Sequence, residues 1–245
     1  NELTSGKPDL KEGLYFGEEL PLDDPRVRSG MPLHGANLFP DIRGFKQVIL
    51  DYLKGMKHLG QAIMRGVALS LLLPENHFED SIMSDPLILF RIFNYPAKSN
   101  SQKPGVQWGV GEHTDYGVLT ILKQDSVGGL QVLTNDNWID APYYENSFVC
   151  NIGDMLDKMT RGYYKSTPHR VLSNTDQSRL SFPFFFDPNF GATPGQIDLS
   201  HLGQHHIQVH DRWDNANIQD YSGTYGSYLL NKIGKVFPLL RDNLN

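Results

Sequence analysis

From about Asp41 to Leu73 the apolar side chains fall at Phe45, Val48, Ile49, Leu53, Met56, Leu59 and Met64, the spacing of a single helical face. The stretch predicts one long amphipathic helix or two consecutive ones. Ahead of it, residues 1–40 are rich in Pro, Gly and Asp, show little periodicity, and read as a wrapped loop region. Pro74 suits the first position of a further short helix, where its missing N–H has no intrahelical partner to lose.

Beyond about residue 84 the period shortens. Leu87 to Tyr95, Gly117 to Leu122, Gly129 to Leu133, Ser147 to Ile152, Arg170 to Leu172 and Arg179 to Phe186 are short apolar or β-rich runs divided by Gly, Asn, Asp and Pro. That rhythm predicts the strands of a sandwich or barrel. Asp154 is placed to cap a brief helix through Thr160, and a last helix is expected around Thr224 to Val236. The pattern predicts a mainly β fold with flanking helices. A jelly-roll core at 84–190 follows loop and helical support at 1–83 and precedes a C-terminal loop and helix at 191–245. No repeat, low-complexity tract or linker divides the 245 residues, so a single domain is expected.

Composition removes several function classes. Charged residues at 20% and hydrophobic ones at 39% describe an ordinary globule, and a net charge of −6 offers no footprint for nucleic acid or an anionic membrane. The longest apolar run, Val67 to Leu73 broken by Ser70, is too short to cross a bilayer. Cys150 is the only cysteine, which excludes an intrachain disulfide and fits a reducing compartment. On its strand it is expected to be a small buried hydrophobe. The chain opens at Asn1 without a charged-then-apolar leader, and a cytoplasmic location is expected.

The candidate chemistry lies in three short segments: His113-Thr-Asp115, His169 and Arg179-Leu-Ser181. His113 and Asp115 are two apart, so an extended segment sends both side chains to one side. His169 is separated from Asp115 by 53 intervening residues and must come from a distant strand, which a barrel mouth can supply. Two imidazoles and one carboxylate form the facial triad that holds non-haem Fe(II), and the same donors also suit Zn²⁺. Arg179 and Ser181 share one strand face, and a guanidinium beside a hydroxyl suits a carboxylate. That second element, which calls for an acidic co-substrate, favours iron.

These residues sit in a longer series: His113-Thr-Asp-Tyr-Gly-Val-Leu-Thr120, Gly128-Gly-Leu-Gln-Val132, Asn151-Ile-Gly-Asp154, His169-Arg-Val171 and Arg179-Leu-Ser-Phe-Pro-Phe-Phe185. The series resembles the iron- and 2-oxoglutarate-dependent dioxygenases, in their isopenicillin N synthase-like branch, from about residue 10 to residue 190. The resemblance implies a double-stranded β-helix with His113, Asp115 and His169 on Fe(II), and Arg179 and Ser181 on the distal carboxylate of 2-oxoglutarate. Tyr95 matches a tyrosine that bonds the same carboxylate. Relatives often show Asn-Tyr-Tyr-Pro where this chain has Phe93-Asn94-Tyr95-Pro96, so only Tyr95 carries over. Relatives also have a further segment ahead of the Pro8–Gly17 region, and this chain is expected to lack it.

The implied reaction consumes O₂ and 2-oxoglutarate, with ascorbate as an optional reductant, and releases succinate and CO₂. The small organic substrate is hydroxylated, desaturated or closed into a ring, by a protein expected to act as a monomer. Two alternatives stand beside it: a 2-oxoglutarate-independent oxidase or ethylene-forming enzyme of the same family, and a non-catalytic metal-binding interaction protein. Strand parity puts Pro183 and Phe185 inward beyond Ser181. Leu119, Ile121 and Val171 are expected to line the pocket if the register carries through the turn after Asp115. Arg91 and Lys123, if they reach that pocket, favour an acidic substrate. His201, His205, His206 and His210 are expected on a solvated loop or strand, without a second metal.

Overall fold

The helical spacing is realised as one helix. The computed structural model describes residues 9–97, 108–172, 176–203 and 218–237. After a short strand β1 (Glu12–Gly17) and a single turn α1 (Pro25–Arg28), the long helix α2 runs from Phe45 to Ser70. Gly44, at φ +80°, turns the chain into α2 in a conformation that only glycine adopts without strain. The buried face of α2 carries Ile49, Leu53, Met56, Gly60, Met64 and Val67. A Cβ on Gly60 would lie 2.8 Å from Cγ of Phe186, so the missing side chain is what lets helix and sheet approach.

Strands follow: β2 (Leu87–Tyr95), β3 (Trp108–His113), β4 (Leu119–Gln124), β5 (Leu130–Thr134), β6 (Asn137–Asp140) and β7 (Val149–Ile152). A short helix α3 (Asp154–Met159), β8 (His169–Leu172), β9 (Arg179–Asp187) and helix α4 (Tyr225–Val236) complete the order. They build two antiparallel sheets, β1-β2-β9-β4-β7 and β3-β8-β5-β6. This is a jelly roll, with the helical support on the outer face of the five-stranded sheet. Among the described residues no helix is long and apolar enough to cross a membrane.

The core is split in two. A large cluster joins α2, α3 and α4 to the outer face of the five-stranded sheet through Leu119, Ile121, Phe184 and Phe186. A smaller one, Phe93, Tyr95, Val110, Leu122, Leu130 and Val171, lies between the sheets.

Several local expectations change. β1 forms in a segment read as loop; it is an edge strand that buries only Phe16, so it leaves almost no alternating signal. β6 is similarly masked because Asn137-Trp-Ile-Asp buries no residue fully; it pairs with β5 through Asn135 and Asp136, both at positive φ. Residues 74–83, expected to begin as helix, close instead as successive turns. The Met83 amide returns to the Phe78 carbonyl at 2.9 Å, and both side chains sink into the core. Asp154 is the first residue of α3, not its cap; Gly153 holds the cap position, and the Asp154 carboxylate accepts from the Tyr228 hydroxyl of α4 at 2.8 Å. Cys150 is exposed, because its register opposite Ile121 puts it on the outer side of the edge strand β7.

Candidate active site

His113 ends β3 and His169 begins β8, and the two are direct cross-strand partners. Their rings lie 4.2 Å apart between centroids. Each Nδ1 faces a backbone carbonyl, Gly111 at 2.8 Å for His113 and Thr167 at 3.1 Å for His169. A carbonyl only accepts, so Nδ1 carries a hydrogen in each ring and Nε2 is the nitrogen left for a metal. Burial, with the neighbouring His169 adding to it, pushes the His113 pKa down to about 3, against the opposing pull of Asp115. His113 is therefore neutral near pH 7, the form that binds a metal.

Asp115 lies in the loop between β3 and β4, buried, with Oδ1 3.6 Å from Nε2 of His169. That separation is too long for a hydrogen bond. One donor atom from each of His113, Asp115 and His169 falls within 4.8 Å of the others, a cluster that could hold a metal ion. The loop is held from below by α3: Asp154 N donates to the Asp115 carbonyl and Met155 N to the Gly117 carbonyl, both at 2.8 Å. Asn151, adjacent on β7, approaches Oδ2 of Asp115 at 3.5 Å.

Along β9 the inward positions are Arg179, Ser181, Pro183, Phe185 and Asp187. Arg179 and Ser181 are each only 2% exposed. Tyr95 stands directly across from Arg179 on β2, its ring 5.0 Å from the guanidinium carbon. Nη2 of Arg179 reaches Oε1 of Gln124 at 3.4 Å, while Nε and Nη1 are buried without a hydrogen-bond partner. Burial lowers the guanidinium pKa, with Tyr95 and Asp125 opposing. An unsatisfied donor of this kind costs about 1–3 kcal/mol, so two of them beside a buried hydroxyl mark a place shaped for an anionic acceptor.

A cavity of about 1000 Å³ including its open mouth connects these groups. Arg91, Val171 and Phe185 line it. Leu119 and Ile121 do not: both lie in the helix-side core, and Thr120 and Leu122 take the inward positions. The loop Thr114–Val118 shifts the strand parity by one residue, which exchanges the two faces of β4. Lys123 points outward, donating to the Ser147 carbonyl at 3.3 Å beside Tyr143 and Phe148. His201 bonds the Leu71 carbonyl at 2.8 Å, while His205, His206 and His210 lie outside the described residues.

Some residues around the cavity escape the sequence reading. Asn151 lies within a predicted strand, and Gln124 just past the end of one. Thr120, Leu122 and Gln124 share one parity, so the correct phase of β4 is the signal that finds Gln124. Asp187 offers none, because it lies one residue past the run ending at Phe186. It is fully enclosed, accepting from Val118 N at 3.3 Å and from the Tyr225 hydroxyl at 2.5 Å, and burial raises its pKa to about 7.

Comparison with known proteins agrees with this chemistry. Residues 85–188 match the model of the 2OG-Fe(II) oxygenase superfamily. A probable iron/ascorbate oxidoreductase of Dictyostelium discoideum is 51% identical over 99% of this chain and 73% of its own length. A 1-aminocyclopropane-1-carboxylate oxidase from the same organism is 39% identical over 97% of this chain and 73% of its own. The crystal structure of a full-length Neurospora crassa protein in complex with alpha-KG and thymine superimposes with a TM-score of 0.75 at 28% identity, covering 95% of this chain and 67% of that one. The chain belongs to the 2OG-Fe(II) oxygenase superfamily and is an Fe(II)- and 2-oxoglutarate-dependent dioxygenase.

Proposed function

We propose that His113, Asp115 and His169 are the iron ligands of this dioxygenase, that Arg179, Ser181 and Tyr95 hold the distal carboxylate of 2-oxoglutarate, and that a small organic molecule is oxidised in the cavity between them. The chemistry the bound iron supplies is oxidation of a substrate C–H bond by O₂, coupled to decarboxylation of 2-oxoglutarate to succinate and CO₂. The two imidazoles present Nε2 atoms oriented by the backbone partners of Nδ1, and Asp115 supplies the carboxylate ligand. Arg179 and Ser181 would grip one carboxylate of the co-substrate from their part of the cavity wall. Tyr95, Val110, Leu122, Leu130 and Val171 keep water from that region.

The observation that carries this reading is the pair of orphaned Arg179 donors two residues from a buried serine. A surface salt bridge would have satisfied those donors. Anaerobic titration of 2-oxoglutarate into Fe(II)-loaded protein should raise the visible charge-transfer band, and Arg179→Ala should weaken the titration by about a hundredfold, the loss of a buried charge-assisted pair. A band of unchanged affinity in that variant would remove Arg179 from the site. Succinate should form in step with O₂ consumption, the stoichiometry of a 2-oxoglutarate-coupled oxidation. We further infer a monomer acting in the cytoplasm, the single cysteine fitting a reducing compartment; sedimentation of the purified protein tests the first half, and localisation of the tagged protein the second.

A further inference from the structure

Among the described residues, the cations that line the cavity are Lys11, Arg91 and Arg179. Lys11 is ion-paired with Asp9 at 3.0 Å, and Arg179 lies at the end assigned above to the co-substrate. Arg91 is different. Its guanidinium carbon lies 5.1 Å from the ring centroid of Tyr15 and 5.1 Å from that of Phe185, and no side chain among the described residues hydrogen-bonds or ion-pairs with it. Aromatic faces hold a guanidinium by cation–π attraction while leaving its N–H edge unused. Asp187, a buried acid that also lines the cavity and feels the Arg91 charge, is already occupied by Val118 N and the Tyr225 hydroxyl.

Strand register fixes where this free edge sits. Tyr95 pairs with Arg179, Phe93 with Ser181 and Leu89 with Phe185, so Arg91 stands across from Pro183. It shares the inward face with Arg179 but lies four residues further along the ladder, roughly 13 Å at strand rise. A five-carbon diacid anchored on Arg179 and directed at the triad does not extend to Arg91. Arg91 is thus a cation on the cavity wall outside the reach of that diacid.

We propose that Arg91 anchors a carboxylate of the substrate, making this a dioxygenase of small organic acids whose apolar portion packs on Leu89, Val171 and Phe185. The inference deepens the function proposed above and rests on its assignment of Arg179 to 2-oxoglutarate. The bound acid is pinned at one end by the guanidinium fork, and this sets which of its carbons faces the triad.

The test is anaerobic calorimetric titration of the protein loaded with Fe(II) and 2-oxoglutarate, using a series of linear and aryl monocarboxylates and their primary amides. At least one acid should bind about tenfold or more tightly than its amide, as a charge-assisted pair requires. Arg91→Gln should erase that preference, Arg91→Lys should retain part of it, and both variants should keep 2-oxoglutarate affinity within about twofold, which also shows that they fold. If no acid is preferred to its amide in the wild-type protein, or if the preference survives Arg91→Gln, the inference is overturned. Should Arg91→Gln fail to fold, Arg91→Lys and the wild-type acid–amide comparison still decide. Absence of the charge-transfer band in wild-type protein would instead bring down the underlying co-substrate reading, and this inference with it.

Discussion

Phe184 and Phe186 point from β9 into the helices, while Arg179, Ser181, Pro183, Phe185 and Asp187 point from the same strand into the cavity. The helix side is closed by dispersion and apolar burial: Phe184 is fully buried, and Phe186 packs on Gly60 of α2. On the cavity side, buried polar groups are held with donors left over. The first face stabilises the sheet. The second gives up some of that stability to hold a guanidinium, a serine hydroxyl and, under the proposed assignment, the iron ligands in buried positions. Alternation along nine residues lets one strand serve both ends.

Mutations on the two faces should therefore separate activity from stability. The largest effect is expected from Asp115→Ala, which should lower turnover by more than about a thousandfold, equivalent to roughly 4 kcal/mol, with little change in the metal-free melting temperature. Retained turnover would remove Asp115 from the ligand set. Next, Phe184→Ala should cost about 3–5 kcal/mol in urea unfolding while the folded fraction binds 2-oxoglutarate with unchanged affinity. A matching loss of affinity would show that the two faces are not separable.

A third effect is expected from Asp187, whose raised folded pKa works against stability as pH increases. Its contribution is fully present below the unfolded value of about 4 and is lost as pH rises through about 7. In metal-free protein, Asp187→Asn should flatten that decline by about 3 kcal/mol across this window, as urea midpoints at a series of pH values would reveal. An unchanged slope would place the proton elsewhere. The smallest is Arg179→Lys, which keeps the charge but loses the planar fork; 2-oxoglutarate affinity should fall about tenfold. A drop as large as that of Arg179→Ala would mean that the fork, not the charge, supplies the binding.

The fold is legible in the sequence wherever periodicity and parity act over several residues. α2 announces itself by its apolar face, and His113, Asp115, His169, Arg179 and Ser181 line one cavity as their spacing requires. Legibility fails where a loop resets the phase. Simple parity puts Leu119 and Ile121 inward, and five irregular residues after His113 are enough to exchange them for Thr120 and Leu122. Edge strands β1 and β6 are hidden for a related reason, since a strand half in water needs no strict alternation. The availability of Arg91 is not written in its neighbours along the chain. It depends on Tyr15 and Phe185 arriving from two other strands.

The backbone bonds from Asp154 and Met155 to the Asp115 and Gly117 carbonyls tie the triad to a helix that begins almost forty residues later in the chain. His169 arrives later still, across from His113. Under the proposed ligand set, no fragment of the nascent chain can gather all three donors before β3, β7 and β8 are in place. Metal capture is then a sign that the barrel has closed, and mass action makes it a contributor to that closure. Free iron at a hundred times its dissociation constant would add about 2.7 kcal/mol to the folded state. The iron status of the cell would thereby set how much of this protein persists, as well as how fast it works.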